Sequence, residues 1–184
     1  MRSRVLILPG LHDSGPDHWQ SRWERSHTTF RRVVQRDWET PDREEWVATL
    51  DAAISESEEP VVLAAHSLGC SLVAHWARAH GGPVRGALLV APADVERADF
   101  PGGATGFAPM PISPLPFPAI VVASTNDLYV TAERAASFAA AWGARFELLG
   151  ALGHLNSESG HGDWPHGLAL LERLRRRSTR HLFP

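Results

Sequence analysis

The chain has 184 residues, 43% of them hydrophobic, enough for one buried core and within the usual size of a single domain, taken here as 1–184. A net charge of −3 and a pI near 6.4 supply no basic field for a phosphate backbone, which argues against nucleic acid as a partner. All 18 Lys+Arg residues are arginine, which excludes Schiff-base chemistry, a pyridoxal phosphate anchor and the G-x-x-x-x-G-K-[ST] phosphate loop; the one cysteine, Cys70, excludes an intrachain disulfide and a cysteine-type zinc site.

The start "MRSRVLILPGLHDS" lacks a long apolar region followed by a small-residue cleavage site. No apolar stretch approaches the roughly 20 residues of a membrane span, so a cytoplasmic protein with no membrane partner is expected. "RVLILPG" (4–10) predicts the first strand, closed by the Pro9-Gly10 turn, and a helix follows over 16–27. "FRRVVQRDW" (30–38) predicts a weaker second strand, then a helix over 43–57. "PVVLAAH" (60–66) leads into a helix over 68–80. "GALLVAP" (86–92), "PAIVVAS" (118–124) and "ARFELLG" (144–150) are further strands apolar enough to be buried on both faces. Helices are expected at 131–142, begun by Thr131, and at 164–177, with Pro165 in the first turn. Strands alternating with helices predict an α/β domain, a three-layer sandwich around a mostly parallel sheet of about six strands. The exception is Asp94 to Phe117, rich in Gly and Pro and without helical period. A connection of that length in a compact domain is commonly functional.

The chemically interesting residues fall at the carboxyl ends of strands, where open α/β sheets bind ligands. Ser67 follows the third strand in "AAHSLGC", Asp127 the fifth in "STNDLYV", and His154 the sixth in "GALGHLNSESGHGDW". The pentapeptide around Ser67 is G-x-S-x-G with Ala65 in place of the first glycine; Gly69 is retained, so the turn is crowded by one methyl rather than prevented. Taken alone the pentapeptide is weak, and Asp127 after Asn126 alone reads as a turn former. Serine, acid, histidine in that order at three strand ends is the order of the α/β-hydrolase triad. A serine hydroxyl needs an imidazole to take its proton, and the imidazole needs a carboxylate to hold its tautomer and charge. The developing oxyanion needs two donors: the N–H of Leu68, beside the nucleophile, and an N–H of Leu11 or His12 in the loop after the first strand. His154 is the expected base because His161 lies seven residues further on and His166 falls within the last helix.

Phe107, Met110, Ile112, Leu115 and Phe117 are expected either to line an acyl pocket beside Ser67, with His12, or to cover the sheet edge. His66, His75 and His80 read as packing or surface residues, Cys70 as a small buried hydrophobe, and Trp19, Trp23 and Trp46 as core. The histidines show no H-E-x-x-H or comparable spacing, so no metal site and no cofactor is expected.

"LPGLHDSGPDHWQSRWE", "AAHSLGC", "PFPAIVVASTNDLYV" and "LGHLNSESGHGDWPHG" together resemble the small α/β-hydrolases of the retinoblastoma-binding protein 9 type and their bacterial relatives. The resemblance runs over nearly the whole chain. It implies a minimal hydrolase fold without a cap domain and a triad of Ser67, Asp127 and His154. The L-x-C-x-E motif behind the mammalian name is not met, since Leu72 stands at the glutamate position of "LGCSL". The sequence thus reads as a serine hydrolase acting through an acyl-enzyme on small-molecule esters, thioesters or amides. An acyltransferase using the same groups and a non-enzymatic interaction module on the same fold stay open. Nothing in the residues names a protein partner.

Overall fold

The computed structural model of the chain describes residues 3–176. Six strands, β1 (Val5–Leu8), β2 (Phe30–Arg32), β3 (Val61–His66), β4 (Val84–Val90), β5 (Ala119–Ser124) and β6 (Arg145–Leu149), form one sheet in the order β2-β1-β3-β4-β5-β6. Every adjacent pair is parallel. Four helices connect strands, α1 (Trp19–Ser26), α2 (Arg43–Ser55), α3 (Leu68–Ala79) and α4 (Ala132–Trp142), and a fifth, α5 (Pro165–Arg176), follows β6. The last predicted residue of the final helix, 177, lies outside the described residues.

The period-two alternation of the strands assigns each helix to a side. Leu6, Leu8, Leu63, Ala65, Leu89 and Val121 face a cluster completed by Trp46 and Leu50 of α2, Leu72 and Trp76 of α3, and Phe138 and Trp142 of α4. Val5, Ile7, Val62, Ala64, Leu88 and Val122 face the other, completed by Trp19 and Trp23 of α1 and Leu170, Leu171 and Leu174 of α5. The result is a three-layer α/β sandwich, and the described residues include no cap domain. Local signals set the helix starts. The Asp42 carboxylate accepts the Glu44 and Glu45 N–H groups at the head of α2, and the Thr131 hydroxyl accepts that of Arg134 at the head of α4. Pro165, with no N–H to satisfy, is the first residue of α5.

The strand order turns back between β1 and β3, because the chain goes outward to β2 and then returns across β1 to build the rest of the sheet. Their carboxyl ends, Leu8 and His66, open the crevice where such sheets bind ligands. The connection over 91–118 is irregular, as expected, but it is bound to the side of the sheet that carries α2, α3 and α4. Thr105 bonds to Pro41 and Arg43, the His75 ring donates to the Phe107 carbonyl at 2.8 Å, and the Trp142 indole donates to the Pro111 carbonyl at 2.8 Å. No helix among the described residues is long and apolar enough to cross a membrane.

Candidate active site

Ser67 occupies the single residue between β3 and α3 with φ 55° and ψ −121°, a strained conformation for a residue with a side chain. Two glycines make the turn possible. A Cβ on Gly69 would come 2.4 Å from the Leu8 carbonyl oxygen, so only glycine lets α3 start against the end of β1. A Cβ on Gly10 would come 2.8 Å from Ser67 Cβ and 3.1 Å from the Leu68 nitrogen, so the chain leaving β1 lies directly on the serine turn. Ala65 is accommodated without exposure in the core shared with α2, α3 and α4, in register with Leu8 of β1 and Leu89 of β4 on either side.

Three strand ends bring the polar groups together. His154 Nε2 lies 2.9 Å from Ser67 Oγ, and its Nδ1 lies 2.8 Å from Asp127 Oδ2 and 2.9 Å from Oδ1. The Asp127 side chain has no exposed surface, and its Oδ1 also accepts the Tyr129 N–H at 2.8 Å. A buried carboxylate on Nδ1 fixes the neutral tautomer with its proton there and leaves Nε2 free to accept from the serine hydroxyl. His161 instead packs near Trp164, ring centroids 6.3 Å apart, and His166 bonds to Glu147 at 2.5 Å.

The N–H groups of Leu11 and Leu68 meet no acceptor among the described residues, whereas that of His12 is taken by the Trp38 carbonyl at 2.9 Å. Of the two candidates beside the Pro9-Gly10 turn, Leu11 therefore has the available donor. Its loop is held from below. The buried Gln20 amide donates to the Leu8 and Ala64 carbonyls, each at 3.0 Å, and accepts the Ser14 hydroxyl at 2.6 Å. Arg32 bonds Asp13 and donates to the Ser14 carbonyl at 3.1 Å and the Ser21 hydroxyl at 2.6 Å.

A cavity of about 310 Å³ opens over Ser67, lined by Leu11, His12, Ala93, Phe100, Tyr129 and Asn156 among others. His12 is on its wall as expected. Phe107, Met110 and Leu115 are not. Phe107 and Met110, 2% and 3% exposed, belong to the core shared with α2, α3 and α4, with the Phe107 ring edge-on to Trp46; Leu115 packs against the same core. Phe117 is core as well, and Ile112 is exposed. The long connection reaches the cavity through Phe100 and Pro101 instead. A hollow of about 440 Å³ between Arg4, Arg31 and Glu56 holds no serine–histidine pair.

Two residues of the cavity wall escaped the sequence reading. His18 caps α1, its Nδ1 accepting the Gln20 N–H at 3.2 Å, and burial, then the charge of Arg32, lowers its pKa from 6.5 to about 3. His66, which the sequence assigned to packing, sits between the rings of His18 and His154 at 4.7 and 4.8 Å. Burial first, and the neighbouring histidines second, hold it well below the ordinary histidine pKa. The "DHW" before α1 and the histidine directly before Ser67 were the available signals. Tyr129, two residues after Asp127, lays its ring 4.5 Å from that of His154. Cys70 is fully buried, and burial pushes its thiol pKa up, away from nucleophilic chemistry. Among the described residues no three His, Cys, Asp or Glu side chains converge to hold a metal ion.

Residues 5–173 match the sequence model of a family described as serine hydrolase. A structure described as a YdeN-like hydrolase from Pectobacterium atrosepticum is 33% identical, with 95% of this chain and 91% of that one covered and a TM-score of 0.84. The ydeN gene product of B. subtilis shares the fold at 19% identity, with coverages of 94% and 98% and a TM-score of 0.72. A monoacylglycerol lipase of Paleococcus ferrophilus shares it at 14%, with 97% of each chain covered and a TM-score of 0.72. No curated protein matches the chain.

Proposed function

The chain belongs to the serine hydrolase family, and from that premise we propose that Ser67, His154 and Asp127 are its catalytic triad, acting through an acyl-enzyme on small esters, thioesters or amides. The observation that carries the reading is the continuous hydrogen-bond path from Ser67 Oγ through His154 to the buried Asp127 carboxylate. In acylation His154 Nε2 takes the hydroxyl proton as Ser67 Oγ attacks the carbonyl carbon, and Asp127 stabilises the imidazolium that forms. The Leu11 and Leu68 N–H groups receive the oxyanion. His154 then gives the proton to the leaving group, and water, activated by the same ring, returns Ser67 to its starting state. Nucleophile, base and oxyanion donors all come from this chain, whose residues 1–184 the reading takes as one domain.

The same strand-end blocks that resemble the retinoblastoma-binding protein 9 type support a kinship within that branch of the family. A cavity of about 310 Å³ whose lining includes both His12 and Asn156 and Phe100 and Tyr129 suits a short acyl group with a polar substituent. The test is labelling by a fluorophosphonate and hydrolysis of short-chain p-nitrophenyl esters. The parent protein should label and turn over, and Ser67→Ala should do neither beyond a weak residual rate. Labelling unchanged in Ser67→Ala defeats the assignment. Faster acyl transfer to an added alcohol or amine than to water identifies an acyltransferase instead.

A further inference from the structure

His154 is held not only through its ring but through the peptides on both sides of it. Asn126 Oδ1 accepts the Gly153 N–H at 2.7 Å, and the Ser124 hydroxyl donates to the Gly153 carbonyl at 2.7 Å. Ser124 ends β5 and Asn126 lies in the turn after it that carries Asp127, so acid and base share one anchor. From the opposite side the His66 Nε2–H donates to the His154 carbonyl at 2.8 Å. His66 is 5% exposed and is the last residue of β3, covalently next to Ser67.

We propose that His66 is a positioning residue: its ring ties the peptide after His154 to the strand end that carries Ser67, against the hold of Ser124 and Asn126, and so sets the approach of His154 Nε2 to Ser67 Oγ. The inference rests on the triad proposed above. Nucleophile and base lie far apart in the chain and on strands separated by β4 and β5, so no shared backbone fixes their distance. Gly153, at φ 59°, would otherwise let the base swing on its loop. A displacement of a reacting atom by about 1 Å costs on the order of 10²-fold in rate. The donor role requires a proton on Nε2: burial keeps the ring neutral, and the His154 carbonyl, which can only accept, fixes the one ring proton on Nε2. His66 neither gives nor takes a proton in the cycle.

The experiment compares His66→Leu, which keeps apolar volume but no donor, with His66→Gln, whose amide nitrogen reaches to where Nε2 stands. On a p-nitrophenyl ester kcat should fall about 10–100-fold in His66→Leu with KM changed less than about twofold, and His66→Gln should keep kcat within about threefold of the parent. The low-field NMR resonance of the His154 Nδ1–H shared with Asp127 should persist in the parent and in His66→Gln and broaden in His66→Leu. Equal losses in the two variants, or a full kcat with an intact resonance in His66→Leu, overturn the proposal. If His66→Leu does not fold, Asn126→Ala removes the opposing hold, and an unchanged kcat there overturns it as well. If the parent turns over no ester and Ser67 takes no phosphonate, the hydrolase reading has failed separately; the proposal then stands or falls on the resonance, whose persistence in His66→Leu overturns it.

Discussion

The loops after β1 and after β4 both leave the carboxyl edge of the sheet, and they do opposite work. The first, 9–18, is short and polar, with His12 and Asp13 in left-handed conformations at φ 65° and 63°, and it lies on the serine turn through Gly10. The second, 91–118, is long and apolar, and most of its large side chains turn away from the cavity into the core shared by α2, α3 and α4. Proximity to Ser67 follows from the strand order, not from loop length. β1 is hydrogen-bonded to β3, at the point where the order turns back, so whatever leaves β1 meets Ser67. The loop after β4 buries its apolar residues on the side of α2, α3 and α4, where Trp46 and Trp142 offer a dry surface.

The contrast breaks or holds at measurable points. The largest effect belongs to the strand-end loops: His154→Ala should lose about 10⁴-fold or more in kcat/KM, and Ser67→Ala/His154→Ala should be scarcely worse than either single variant. His161→Ala should keep most turnover, and the reverse pattern would move the base to His161. In the long loop the cost is to stability. Phe107→Ala should destabilise by about 3–5 kcal/mol in urea unfolding, with acyl-chain preference unchanged; a shifted preference would return that residue to the pocket. In the short loop the cost is to rate. Gly10→Ala forces its methyl against Ser67 and Leu68, and should lower kcat about 10²–10³-fold, the scale of a lost oxyanion donor, at little cost in binding.

Smaller effects sharpen the same contrast. His18, in the short loop, and His66 beside it stay neutral in the folded chain with lowered pKa values, whereas the unfolded chain takes up protons near pH 6.5. Their neutrality therefore adds stability that is present above pH 6.5 and is lost as pH falls toward the folded values. Each contributes a slope of about 1.4 kcal/mol per pH unit in that window. A urea midpoint flat from pH 7 to pH 5 would contradict it. Phe100→Ala, on the cavity wall, should change KM for longer acyl chains by only about two- to fivefold and leave the melting temperature nearly unmoved.

The fold was legible because six apolar runs punctuated by Gly, Pro and polar turns correspond to strands buried on both faces, and such strands carry a strong sequence signal. Ser67, Asp127 and His154 were legible as candidates because strand ends are fixed points in this architecture. Phe107, Met110 and Leu115 were not placed correctly because an apolar side chain specifies dry surroundings and not which dry volume. His66 was passed over for the converse reason. A histidine that closes an apolar strand reads as packing, and its neutral, hydrogen-bonded role depends on carbonyls and rings remote in sequence; His18, in the polar first loop, was not singled out at all. Asn126 entered the sequence reading only as the residue before Asp127; that its amide oxygen reaches Gly153 is a property of two loops together.

Four of the seven tryptophans donate their indole N–H to a loop carbonyl: Trp19 to Leu155, Trp23 to Asp163, Trp46 to Asp37 and Trp142 to Pro111. Trp19 thereby touches the residue after His154, and its ring lies 5.2 Å from His18 and 6.2 Å from His66. The proposed triad consequently has an optical reporter beside it. Indole emission responds to the polarity and hydrogen bonding of its surroundings, so the difference between parent and Trp19→Phe spectra isolates a signal from next to His154, and the acylation proposed for Ser67 is expected to be visible by light without any label.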